Sequence, residues 1–318
     1  MPLMRIHGDA IRFGIHAGQH NGTYDDFLTL WRRAEELEYD WVSDFDHFLP
    51  IQGDPSGPCF DGPTLMGAMA SHTDRIRCGM LVTSVTYRHP AVLANIVATL
   101  DHISGGRIEY GMGAGWYELE HDQYGIAFPR IGERMDMLDE ACRILRSMWT
   151  QETTTFAGAH WQVTDAWCNP KPVQDHLPLV IGGSGEKRTL RIVAEHADIW
   201  NTFLSTTDEL EHKLAVLAGH CADVGRDPAD VRVSMTLRAV IRDSHEAAAA
   251  VAEPIIERFR QTNPRLADSV VYGTGEQVAE RLAPFKDLGV GDFLVGAMAP
   301  WDWESFERMA GDVAPVLR

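Results

Sequence analysis

The sequence predicts an α/β fold, a (β/α)8 TIM barrel with insertions, and three observations predict it. Eight short apolar, β-branched runs alternate with amphipathic helical runs along the 318 residues. Glycines gather just where two of those runs end, at Gly113-Ala114-Gly115 and at Gly182-Gly183-Ser184-Gly185. The first strand-to-helix turn, Gly14 to His20 (GIHAGQH), lacks the G-x-G-x-x-G fingerprint of an open doubly wound sheet, the alternative architecture.

The predicted strands, in order, are Ile11–His16, Tyr39–Ser43, Ile76–Thr83, Arg107–Met112, Leu179–Gly182, Ala197–Asn201, Arg232–Arg238 and Asp292–Gly296. Helical patterns separate them. Tyr24–Glu38 places Phe27, Leu28, Leu30, Trp31 and Ala34 on one face, and Ala91–Ile103, Arg134–Trp149, Lys187–His196 and Leu210–Val224 behave likewise. Gln277–Leu288 precedes the eighth strand, with Gly289 at a C-cap position, and Trp303–Val316 follows it. Two stretches exceed ordinary spacing. Residues 150–177 contain proline and aromatics, and residues 243–268 hold an extra helix, Ala247–Arg260. Both read as insertions on one domain spanning residues 1–318.

Hydrophobic residues make up 45% of the chain, ample for a large core. A net charge of −18, without a basic run interleaved with aromatics, argues against nucleic acid as a partner. Five scattered cysteines without a C-x-x-C fit a reducing cytoplasm rather than a disulfide framework. The segment Met1–Asp9 does not read as a signal peptide, and no apolar run approaches membrane length.

In a TIM barrel the chemistry lies at the carboxyl ends of the strands. After the second strand, Asp46-His47 pairs a carboxylate with an imidazole that can exchange a proton near neutral pH. After the third come Thr83, Ser84 and Val85, then Tyr87 and Arg88. The fourth leads to Gly113, Ala114, Gly115 and Trp116, then Glu118, Glu120 and His121. Gly182, Gly183, Ser184 and Gly185 offer backbone N–H groups to a phosphate. Each has a plainer alternative: a loop hydrogen bond for His47, solvated charge for Glu118 and Glu120, packing for Trp116 and Tyr87, an ordinary turn for the glycines. His16 and His20 are four apart on a strand-to-loop turn and no H-E-x-x-H occurs, so no metal site is expected.

Several runs together resemble the luciferase-like flavin and deazaflavin oxidoreductases. They are Arg75 to Pro90 (RIRCGMLVTSVTYRHP), Leu100 to Trp116 (LDHISGGRIEYGMGAGW), Tyr124 to Pro129 (YGIAFP), Cys168 to Pro172 (CNPKP), Ile181 to Glu186 (IGGSGE) and His196 to Asn201 (HADIWN). The match is to the actinobacterial branch that uses coenzyme F420, a 5-deazaflavin. The resemblance implies a luciferase-like barrel, usually a homodimer, with the deazaflavin across its carboxyl end. It implies a bulge with a non-proline cis peptide within Thr83-Ser84-Val85, behind the ring. It implies Gly113, Ala114, Gly115 and Trp116 beside the ring, and Gly182, Gly183 and Ser184 at its phosphate. It gives Asp46 and His47 the place near the reactive face, with Asp46 orienting His47. Many flavin monooxygenases of the family carry asparagine in the fourth strand where Gly111 and Gly113 stand, which favours the deazaflavin over FMN. The sugar-phosphate dehydrogenases of the family place glutamate directly after G-x-G, where this chain has Trp116; Glu118 is the nearby substitute for that acid. The expected activity is hydride transfer between F420 and a small organic substrate. The alternatives are an FMN-dependent monooxygenase and a non-catalytic flavin-binding protein.

Overall fold

The computed structural model describes residues 10–318; the Met1–Asp9 segment read above lies outside the described residues. Eleven strands form, β1 Arg12–Ala17, β2 Trp41–Asp44, β3 Arg77–Ser84, β4 Ile108–Gly113, β5 Thr154–Ala157, β6 Gln162–Ala166, β7 Leu179–Gly182, β8 Ile199–Phe203, β9 Arg232–Ile241, β10 Val270–Gly273 and β11 Val290–Ala297. Eight of them pair in parallel in the cyclic order β1-β2-β3-β4-β7-β8-β9-β11, and β11 returns to β1. This is a closed (β/α)8 barrel, and each of the eight expected strands is in it with ends within three residues, the largest difference being β9, which runs on from Arg238 to Ile241.

The insertions acquire structure of their own. Residues 154–166 form the antiparallel β5–β6 hairpin. Residues 245–268 form the helices His245–Thr262 and Pro264–Asp268, after which β10 pairs with the far end of β9, outside the ring. Besides the short Pro264–Asp268, two helices escaped the periodicity reading. Gly62–Ser71 is apolar on most sides, and Glu118–Tyr124 is only seven residues long, so neither shows a clean stripe.

Side chains fill the barrel in layers, as alternation along the strands requires. At the amino-terminal end Arg12, Arg77 and Arg232 share the buried carboxylates of Glu109 and Asp292, with Arg12 Nε 2.8 Å from Asp292 Oδ1. Buried charges persist there because each is paired. Trp41, Leu81, Val180, Ile199 and Leu294 form the apolar middle. Above it the interior turns polar: His16 Nδ1 meets Ser43 Oγ at 3.0 Å, and Asn201 Nδ2 donates to Ser234 Oγ and Thr236 Oγ1 at 3.1 Å each. The carboxyl end is therefore the chemically equipped rim. All five cysteines are free, and no described helix is long and apolar enough to cross a membrane.

Candidate active site

Glycines at the ends of β4 and β7 are required by the protein itself. The chain bulges between Met80 and Thr83, where β3 shifts register against β4. The non-proline cis peptide is Leu81–Val82, ahead of the expected Thr83-Ser84-Val85. A Cβ at Gly111 would strike the Met80 carbonyl oxygen, and one at Gly113 would lie 2.8 Å from a Val82 methyl. Gly182 faces the same side chain, its hypothetical Cβ 3.2 Å away. Val82, half-buried, thus lies over three glycine positions and forms an apolar floor. Thr83 and Val85 are buried behind it. The Thr83 hydroxyl meets the Tyr110 hydroxyl at 2.7 Å, and Val85 N–H donates to the Gly113 carbonyl. Ser84 Oγ meets Thr86 Oγ1 at 2.7 Å and packs against Gly115.

At the same rim, after β2, stands His47, 7% exposed. Asp46 does not orient it. The Asp46 carboxylate pairs with the Arg88 guanidinium, which also donates to Asp61 Oδ1 at 2.9 Å. The partner of His47 Nδ1 is Glu120. The same carboxylate accepts from the Tyr87 hydroxyl, from Phe48 N–H at 2.7 Å and from Leu49 N–H at 3.2 Å. Burial alone would raise the Glu120 pKa; the bonds from His47, Tyr87 and Phe48 outweigh it and hold the group below the ordinary carboxylate range. Glu118, the expected acid, is exposed on the other side of the same short helix. Two residues along a helix turn a side chain by about 200°, so only one member of E-x-E can face His47.

Burial shifts the other titratable groups here away from their charged forms. Burial, then the neighbouring histidines, depresses His16 to about 4; burial, then His47, does the same to His20. Asp44 is fully buried without a hydrogen-bond partner for either side-chain oxygen among the described residues, and burial with Asp46 nearby pushes it well above its ordinary value. Desolvation raises Asp46 too, against the opposing pull of Arg88.

Trp116 lies beside the mouth, 62% exposed, with its ring 5.6 Å from that of His47 and stacked on Tyr117. Arg134 fastens the glycine turn beneath it. Its guanidinium donates to the carbonyl oxygens of Ala114 (3.0 Å), Gly115 (3.5 Å) and Pro129, and sits 3.7 Å over the Phe128 ring. After β7, Gly183 has φ +113° and the turn stays open to solvent. The following helix starts at Thr189, so the expected phosphate turn precedes it by several residues rather than opening it.

Asp46 and His47, residues 83–85, 113–116 and 182–184 thus gather at one rim, while Glu118 points away. The reading from sequence missed Glu120 as the partner of His47, Val82 as the floor, and the Arg88 and Arg134 clamps. Tyr87 and Arg88 did stand out as strand-end residues, but nothing in the pattern shows which carboxylate each histidine or arginine meets. A groove of about 1090 Å³, lined in part by Arg146, His176, Asp198 and Arg318, opens at the opposite rim, where barrel residues serve stability.

A closed parallel barrel with an imidazole–carboxylate pair and an apolar floor at its carboxyl rim defines the scaffold of a barrel enzyme. The chain belongs to the luciferase-like monooxygenase family, whose model matches residues 8–292. It is 30% identical to an F420-dependent glucose-6-phosphate dehydrogenase of Microbacterium testaceum, over 97% of this chain and 98% of that protein. Among solved structures, an F420-dependent secondary alcohol dehydrogenase with an F420–acetone adduct superposes with a TM-score of 0.83 at 21% identity, over 97% of this chain and 99% of that one. The F420-dependent tetrahydromethanopterin reductase of Methanopyrus kandleri gives 0.82 at 18%, over 97% and 100%.

Proposed function

We propose that this protein is a coenzyme F420-dependent oxidoreductase that moves hydride between the deazaflavin and a small organic substrate. The relatives named for F420, one of them alike over the whole chain, support the cofactor. The residues present fit such a group: Val82 offers a half-buried apolar floor, Trp116 a wall, and the Gly183 turn exposed backbone for a phosphate. When bound, the deazaflavin supplies a two-electron hydride donor or acceptor at its C5 carbon.

The observation that carries the reading is the His47–Glu120 pair at the same rim as that floor. Glu120 occupies Nδ1 and thereby leaves Nε2 to act on the substrate. In the reducing direction His47 delivers the proton that accompanies hydride at an electron-poor C=C, C=N or C=O; in the oxidising direction it takes one from a hydroxyl or amine. Glu120 favours the charged imidazolium that the second case creates. Tyr87 and two backbone N–H groups keep the carboxylate in place, so little reorganisation accompanies proton transfer. Val82 and Trp116 exclude water and align the two reactants.

Titration of purified protein with F420 and with FMN tests the cofactor, and a screen of hydride acceptors with the loaded enzyme tests the reaction. Saturable F420 binding with turnover is expected. Tight FMN binding without F420 affinity overturns the proposal in favour of a flavin monooxygenase.

A further inference from the structure

Among the described residues Arg238, at the carboxyl end of β9, has a buried side-chain nitrogen without an acceptor and no ion-paired carboxylate. It follows Ser234 and Thr236 in the alternating row of β9 that faces the barrel interior. Its Nη1 donates to the Gly296 carbonyl oxygen at 3.0 Å. Its Nε is buried without an acceptor, and no carboxylate pairs with it among the described residues. Arg258, on the insertion helix His245–Thr262, adds a like charge within electrostatic range. The opposing charge nearby, Asp302, is already engaged by Arg242 at 3.1 Å and by the Ser305 hydroxyl at 2.7 Å. Burial, more than the repulsion from Arg258, pulls the Arg238 pKa below its ordinary value, against Asp302. A chain with net charge −18 has acids to spare, yet among the described residues none forms an ion pair with either guanidinium.

Position says what the pair would meet. Val82 and its glycines belong to β3, β4 and β7, whereas β9 lies four strands from β3 in either direction round the ring. His47 leaves β2, the immediate neighbour of β3. A ligand that reaches Arg238 therefore lies across the mouth from the apolar floor.

We propose that Arg238, assisted by Arg258, anchors a carboxylate of the substrate, so that the enzyme acts on organic acids whose reacting carbon is presented beside His47. The inference rests on the reading above for its reaction but not for its binding. A guanidinium meets a planar carboxylate with directed, charge-assisted bonds. The other source of such a group is an acidic portion of the cofactor itself.

Titration of the full-length, cofactor-free protein with benzoate and with benzamide, followed by saturation-transfer NMR, tests the anchor. Benzoate is expected to bind saturably and benzamide not to compete. Arg238→Met should weaken benzoate about tenfold or more, and the exposed Arg258→Gln by a few fold. Arg238→Met removes a buried unsatisfied donor together with the bond to the Gly296 carbonyl, so the melting temperature should change little; if the variant fails to fold, Arg258→Gln carries the measurement. Absent benzoate binding, or affinity untouched by the substitutions, overturns the proposal. F420 affinity of Arg238→Met within about twofold of the parent supports the substrate assignment, and a loss of about tenfold moves the anchor to the cofactor and overturns it. Because benzoate is read without cofactor, failure of the F420 titration leaves this outcome legible.

Discussion

Glu120 and His47 meet through one hydrogen-bonded contact at Nδ1, although 73 residues separate them in sequence. The contact fixes the tautomer of the ring and its orientation together. Glu120→Gln keeps the shape and removes the charge. We expect kcat to fall by about 10- to 100-fold with cofactor affinity near the parent value, and the pH profile to shift. Glu118→Gln should leave kcat within about twofold, since that side chain is exposed. Equal losses from the two substitutions would refute the assignment of Glu120.

Asp46 is expected to matter through Arg88. Asp46→Asn leaves a mostly buried guanidinium with only the more exposed Asp61, so urea unfolding should show a loss of about 2–4 kcal/mol. An undiminished unfolding midpoint would show that Asp61 suffices.

Acid should weaken the fold in two windows. His16 and His20 titrate near 4 in the folded state against about 6.5 when unfolded. The unfolded chain therefore binds protons first, and stability present above pH 6.5 declines as the pH falls towards 4, by roughly 3 kcal/mol for each ring. Glu120, held below the ordinary carboxylate range by its hydrogen bonds, adds a loss only at more acid pH still. Chemical denaturation at pH 7, 6, 5 and 4 measures the slope, and His20→Asn should flatten the first window.

Arg134→Ala should loosen the Gly113–Gly115 turn, with weaker cofactor binding and a stability loss of about 2 kcal/mol from three unsatisfied carbonyls and a lost ring contact. Lysine should rescue little, because a single ammonium lacks the forked donors. Full rescue by Arg134→Lys, read by F420 titration and melting, would contradict the clamp.

Gly111→Ala drives a methyl into the Met80 carbonyl and should cost at least about 2–3 kcal/mol or prevent folding. Gly219→Ala, in a helix with open space around it, should stabilise by about 0.5–1 kcal/mol. Parallel thermal melts compare them.

Local chemistry determined what was legible in the sequence. Strand and helix periodicities fix which way each segment turns its apolar side, so runs such as Leu179–Gly182 and Ala91–Ile103 announced the barrel and its active rim. Glycines at 113 and 182 marked close approach, though not by what. Tertiary structure alone decided that Val82 comes down onto them, that Glu120 rather than Glu118 or Asp46 holds His47, and that Asp46 goes to Arg88. Those pairings depend on the phase of a seven-residue helix and on where distant strand ends meet when the barrel closes. No local pattern encodes a contact whose geometry exists only once the eight strands have joined.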